Sequence, residues 1–299
     1  RLHRHADRHR GDLLGARDLD SAAARGLFDA HDFVHHGSHA VNALEALFRA
    51  EVISYLLELS RIAGLIVVAP LSWQSAPARV RVGLVLALTV VAHGVGAGSV
   101  RAEPLPVALG IAWELGVGLA MGFVVRVAVS IAEIAAEAIA PMMGLGAAHL
   151  FDPHAGSGTV LTSLFRHFAI FLALLVGVHR VVLGALIESF RVLPVGASES
   201  IAVATPVMVR LSAEALSAGV RIAIPVVSIL FMVQIALAFI SRAAPALQIF
   251  SLGFAVTLGV GWVVLIIVAP DLTMRMIAEL SHVGEGLESV VGALSPRPP

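Results

Sequence analysis

This 299-residue chain contains no cysteine, which excludes a disulfide framework, a thiolate metal site and a cysteine nucleophile. It contains no lysine either, so all 20 basic side chains are arginine. Charge as a whole is scarce: 14% of residues are charged, where soluble domains carry about a quarter. The net charge of −1 provides no basic field to gather nucleic acid or acidic substrates. Catalytic signatures are missing as well, with no GxSxG, HExxH, Walker A or dinucleotide fingerprint in the chain. What is present is apolar: 58% of residues are hydrophobic and the mean hydropathy is +0.90. That composition belongs to the membrane class and not to soluble enzymes.

Residues 1–43 differ from the rest. Positions 1–40 hold six Arg, six Asp and seven of the 13 His, with no apolar period. Such a segment buries too little surface to offset its ordering entropy. It reads as a disordered leader, or as translated sequence ahead of a GTG start at Val41 or Val52. It is not a signal peptide, because no apolar stretch of about 7–15 residues follows the charges before residue 41. A His-rich run also has metal-binding chemistry, with His3, His5, His9, His35, His36 and His39 as candidate ligands. Residues 293–299 read as a short tail.

Between these ends, in 44–292, the hydrophobic pattern predicts an all-α, polytopic protein of about six long apolar helices. The expected spans are 52–71, 80–95, 107–139, 160–190, 206–240 with a bend at Pro225, and 245–268 closed by Pro270; a weaker amphipathic stretch follows over 271–291. Each has close to the length needed to cross a hydrocarbon core of ~30 Å. The third, fourth and fifth also carry internal charges, including Arg126, Glu133, Glu137, Arg166, Arg180, Arg210, Glu214 and Arg221. Simple lipid-facing spans avoid such charges, so these helices are expected to face protein or water on one side. Arginine is split almost evenly between the two faces of any alternating topology, and the positive-inside rule assigns no orientation.

Three features stand out. Arg126, Glu133 and Glu137 lie at i, i+7 and i+11, within roughly 40° of one another around a helix, and form a polar stripe. The stripe is either a hydrated face or an internal network that pins neighbouring helices. Second, Met142, Met143, Gly144, Leu145 and Gly146 open an irregular stretch that runs on through Phe151, Asp152 and Pro153. Non-helical backbone in so apolar a setting survives only where protein buries it or where it lines a water-filled cavity. It is either a constriction or an ordinary interhelical loop. Third, Gly118 and Gly122 form a GxxxG pair that permits close helix packing. The remaining histidines are scattered, and His149, Asp152 and His154 make a poor metal site. No cofactor or metal is expected.

Several local patterns then recur in a fixed order: Arg61 after Leu59-Ser60, Pro70, Arg79 in Pro77–Arg81, Glu114 before a glycine run, Met143-Gly144, Asp152-Pro153, His179, the stretch from Ser189 to Pro194 and Gly196, and Arg242 before Pro245. On these residues the chain resembles the FliR family of flagellar biosynthesis proteins and their type III secretion counterparts, over roughly residues 44–285. The resemblance implies long, bent helical hairpins in the bacterial inner membrane at the flagellar basal body. It implies assembly with FliP-like, FliQ-like and FlhB-like subunits into an export gate for unfolded flagellar proteins. It also implies that the stretch from Met142 to Pro153 is a pore plug. Ala140, Pro141, Met142, Ala147 and Ala246 depart from the family's usual residues. The alternatives are a virulence-type export gate, and a secondary transporter that relays protons through Arg126, Glu133 and Glu137.

Overall fold

The computed structural model describes residues 45, 48–94, 107–145, 158–196, 201–243 and 249–295. The chain divides into two units, Arg1–Ile53 and Ser54–Pro299. Of the first unit only residues 45 and 48–53 are described, and they are helical. The expected leader over 1–43, with its histidines, lies outside the described residues.

The elements are α1 over 48–68, a 3-10 turn at Ser72–Ser75, α2 at Ala78–Ala92, α3 at Val107–Ile139, α4 at Val160–Val176 and α5 at Val178–Val192. A second 3-10 turn at Ile201–Ala204 leads into α6 at Thr205–Ala243, followed by α7 at Ile249–Ser281 and α8 at Val283–Leu294. No β-strand occurs among the described residues.

Local chemistry explains most of the boundaries. Helix α1 stops just before Pro70, and its last carbonyls are taken by side chains: Trp73 Nε1 donates to Ile66, and Gln74 Nε2 donates to Val67 and Val68. Helix α3 stops at Ile139, since Pro141 disfavours helical backbone at the residue before it. Thr159 caps α4 by accepting from the Thr162 amide at 3.2 Å.

Two expectations are corrected. The single helix expected over 160–190 is two helices whose axes turn by 68°. Gly177, with φ of +88°, takes the left-handed cap that ends α4 and starts α5. Pro270 does not close the last apolar helix either, because α7 runs through it to Ser281. An internal proline costs about 3 kcal/mol. Beyond it Leu272, Met276 and Leu280 are all buried and offset that cost. The expected amphipathic stretch is therefore the end of α7 together with α8.

Helix α3 is the hub, packing against α4, α6, α7 and α8. It meets α1 through small residues. A Cβ on Gly118 would overlap the Arg61 carbonyl, one on Gly64 would lie 2.5 Å from the Leu115 carbonyl, and one on Gly122 would lie 3.0 Å from the Leu65 carbonyl. The GxxxG pair thus serves close backbone approach, as its spacing suggests. Gly219 does the same where α6 crosses α3 beside Ile134. The outcome is an uneven distribution of burial. In the apolar window of α3, 56% of residues are buried, against 22% in that of α6 and 17% in that of α7.

Substituting Gly118 with Ala should force α1 and α3 apart and cost about 1–3 kcal/mol by overpacking. Gly83→Ala on α2 meets open space, and should be neutral or slightly stabilising. Thermal stability of the detergent-solubilised full chain, followed by fluorescence-detected size exclusion, should separate the two.

Candidate functional site

Three places bring the sequence-selected residues together. The first is an ion pair with no solvent access. Arg61 on α1 and Glu114 on α3 are both 0% exposed, with Arg61 Nε 2.6 Å from Glu114 Oε2. The rest of the guanidinium is matched as well. One terminal nitrogen donates to the Ser189 carbonyl at 3.0 Å and to Ser189 Oγ at 3.3 Å, and the other donates to the Leu193 carbonyl at 3.1 Å. These carbonyls belong to the C-terminal end of α5, where a cation is favoured by the helix dipole. The guanidinium carbon also lies 4.5 Å from the centre of the Phe190 ring. The second carboxylate oxygen of Glu114 accepts from the Gly196 amide at 3.0 Å. Gly196 adopts φ of +85°, a conformation that suits glycine. Pro194 lies half-buried between these two anchors. Positions more than fifty residues apart in the chain thus converge on one centre. Each nitrogen of the guanidinium and both oxygens of the carboxylate have a partner, as befits a structural centre.

One turn before Arg61, Glu58 is also buried. Its Oε1 lies 3.2 Å from Ser54 Oγ and 3.2 Å from His93 Nδ1, while Oε2 has no hydrogen-bond partner among the described residues. Among the described residues, helix α1 is not one of the helices long and apolar enough to cross a membrane. Desolvation holds the Glu58 carboxyl above its ordinary pKa, against the opposing pull of His93, Ser54 and Arg61.

The second place is the α3 stripe. Glu133 forms a two-pronged pair with Arg166 of α4, at 2.6 Å and 3.2 Å. Arg126 stands at the edge of this contact, 3.9 Å from Glu133 Oε2. Glu137 is exposed. The stripe therefore splits, with Glu133 joining α3 to α4 while Glu137 faces outward.

The third place is the root of the loop after α3. Residues 140–145 form tight turns, closed by bonds from the Leu145 amide to the Ala140 carbonyl and from the Gly144 amide to the Pro141 carbonyl, both at 3.0 Å. Met143 is 0% exposed. It fills a notch on α7, where a Cβ on Gly261 would lie 2.7 Å from Met143 Cγ and Cε. Gly144, at φ of +79°, lies against the Phe254 ring. The half-buried Met142 accepts through its carbonyl from Gln234 Nε2 of α6 at 2.9 Å. Gly146, Phe151, Asp152 and Pro153, together with His149, His154 and Pro245, lie outside the described residues. Of the other selected positions, Pro70 is buried, Arg79 and Arg242 are exposed, and His179 is half-buried with Nδ1 unpartnered among the described residues.

Residues 52–283 match the family of bacterial export proteins, family 1. The chain belongs to that family. It is 32% identical to the flagellar biosynthetic protein FliR of Escherichia coli K12 over 214 residues, which is 69% of this chain and 80% of that protein. It is 25% identical to the FliR of Caulobacter vibrioides over 217 residues, covering 70% of this chain and 85% of the relative. A third relative, the FliR of Pectobacterium carotovorum, is 32% identical over 155 residues, or 52% of this chain and 59% of its own length. Membership makes the chain a membrane-associated export component and not an enzyme.

Several contributors to these sites do not stand out in the sequence, among them Glu58, Gln234 and the carbonyls of Ser189 and Leu193. Gln234 left one faint signal, as an amide among the apolar residues of α6. The carbonyls of Ser189 and Leu193 had none, because every residue carries one.

Replacing Arg61 with Leu leaves the Glu114 carboxylate buried without its cation, which should cost about 3–5 kcal/mol. Combining it with Glu114→Leu should recover a large part of that loss. Steady-state amount in the membrane and melting temperature of the three variants form the double-mutant cycle that measures the coupling.

Proposed function

We propose that the chain is a gating subunit of a flagellar-type protein-export apparatus in the bacterial inner membrane at the base of the flagellum. In this reading it works beside FliP-like, FliQ-like and FlhB-like subunits on unfolded export substrates. The relatives' names and the family supply the flagellar and export parts of the proposal. The gating part is supported by one observation above all: a non-helical segment, 140–145, is built into an apolar helical protein at the end of the most buried of its three long apolar helices. Such backbone survives where protein buries it or where it borders water. Here the root is buried through Met143 and tied to α6 through Gln234. In this reading the stretch from Met142 to Pro153, which begins in that root, is the closing element.

The transporter alternative is weakened by the geometry of the stripe. Glu133 is bound on both oxygens by Arg166, which suits a helix-joining role better than proton relay. A virulence-type gate shares the same chemistry, and the resemblance to flagellar relatives is what favours the flagellar reading.

Deleting residues 142–146 should make cells permeable to ions or small solutes while the chain still reaches the membrane in normal amount. Neutralising Glu137 should leave permeability unchanged. A membrane that stays tight in the deletion strain, with normal chain levels, counts against the gate assignment. Loss of motility on deleting the whole gene tests the flagellar part separately.

A further inference from the structure

Glu58 lies one turn before the matched ion pair and is itself unmatched. Its side chain is 0% exposed. Oε1 meets Ser54 Oγ and His93 Nδ1, each at 3.2 Å, while Oε2 is buried with no hydrogen-bond partner among the described residues. An ionised carboxylate in that position is a costly buried charge. Arg61 does not relieve it, because each guanidinium nitrogen is already engaged by Glu114, Ser189 or Leu193. Glu114 on α3 faces Arg61 and the Gly196 amide. Arg79 and Arg81 stand at the opposite end of α2, roughly three turns from His93, and Glu51, earlier on α1, is exposed. Among the described residues, His93 is thus the ionisable group that another element brings to Glu58.

This contact has room for one proton. The proton sits on Oε1 with Nδ1 accepting, or on the ring with Nδ1 donating. Either arrangement keeps the hydrogen bond and leaves the pair without net charge. Tyr55 holds the imidazole in place, with ring centroids 3.9 Å apart and planes 25° apart. The His93 side chain is 21% exposed, so one ring touches both the outside and the buried carboxyl. When the proton leaves, a neutral ring still donates through Nδ1, but the buried negative charge has no counter-charge. Desolvation acts on the charged form, so the carboxyl keeps its proton above the ordinary carboxylate range.

His93 is also the C-cap of α2, and much of that helix is loosely seated. A cleft of about 310 Å³ lies between α1 and α2, lined by Leu59, Ile66, Val67, Val82, Val85 and Leu86 among others. A Cβ on Gly83 would meet nothing. The helix is fastened at its ends. At its start is the Ser72–Ser75 turn, tied to α1 through Trp73 and Gln74. At its far end Thr89 and Ala92 are buried and His93 reaches Glu58.

We propose that Glu58 and His93 form a proton-binding site whose single proton fastens the C-terminal end of α2 to α1. Release of the proton frees that end, which swings about the Ser72–Ser75 turn and lets water reach the carboxylate. The direction follows from burial. A carboxyl held above its ordinary range supplies its fastening at acidic pH and loses it as the pH rises through that raised value. The site does not depend on the gating reading.

The chain has no cysteine, so introduced pairs take spin labels specifically. Leu56→Cys with Val90→Cys reads the fastened end, and Val67→Cys with Val80→Cys reads the turn; all four positions are exposed. Distances are measured by double electron–electron resonance on the detergent-solubilised full chain. The series runs from about pH 4, in the ordinary carboxylate range, to about pH 9. The first pair should give one short distance at acidic pH and a growing longer one as the pH rises. The ratio of long to short should increase by up to about tenfold per pH unit, as release of one proton requires. The second pair should stay constant. Glu58→Gln keeps the shape without the charge and should hold the short distance throughout. A first pair that does not respond to pH overturns the proposal, and so does an equal response in Glu58→Gln. Should that variant fail to fold, His93→Gln carries the test. It removes the group that eases ionisation of Glu58, so the half-point should move to higher pH. An unmoved half-point overturns the site.

Discussion

A guanidinium and a carboxylate that are both wholly cut off from water must be matched nearly atom for atom, and the meeting of Arg61 with Glu114 imposes that demand here. Desolvating two such ions costs several kcal/mol each, and the pair survives only because its remaining valences are filled. Filling them requires the end of α5 to arrive beside α1 and α3 with the Ser189 and Leu193 carbonyls aimed inward. It also requires a turn whose amide, at Gly196, reaches the far side of Glu114. The glycines at the α1–α3 crossing belong to the same requirement, because they let the two backbones approach closely enough for the side chains to meet. Ion pair, helix crossing and turn are one arrangement.

Away from that centre, polarity is used more loosely. The Glu133–Arg166 pair joins α3 to α4 in a half-exposed setting, where solvent and competing charges such as Arg126 reduce its worth. The irregular root at 140–145 is held differently again, by the shape of Met143 in the Gly261 notch and by one amide from Gln234. Helix α3 therefore has three kinds of attachment along its length. It is locked by charge near Glu114, braced by a screened pair at Glu133, and seated by packing at its end.

Much of this was legible from residue order. Helical class, the long apolar spans and the close approach at Gly118–Gly122 follow from periodicity and from glycine's missing side chain. The stripe of Arg126, Glu133 and Glu137 was legible as a face, but its partner was not, since nothing in α3 names Arg166 on α4. Arg61 and Glu114 stood out only through family resemblance. Their pairing needs backbone carbonyls more than 120 residues away, which no local pattern encodes. The two boundary errors share one cause. Gly177 and Pro270 are both potential helix breakers, and packing around each decided which one broke. Buried side chains carry α7 past its proline, while α4 takes the left-handed exit its glycine offers.

That exit has a consequence for heredity. Gly177 carries no charge and does not touch the buried ions, yet the 68° turn it allows is what points the end of α5 toward α1. A side chain at this position would strain the turn and swing distant carbonyls off the guanidinium. Changes at 177, 61 and 114 should therefore behave in genetic crosses as lesions in a single unit, with suppressors of one rescuing another, although the three positions are widely separated along the gene.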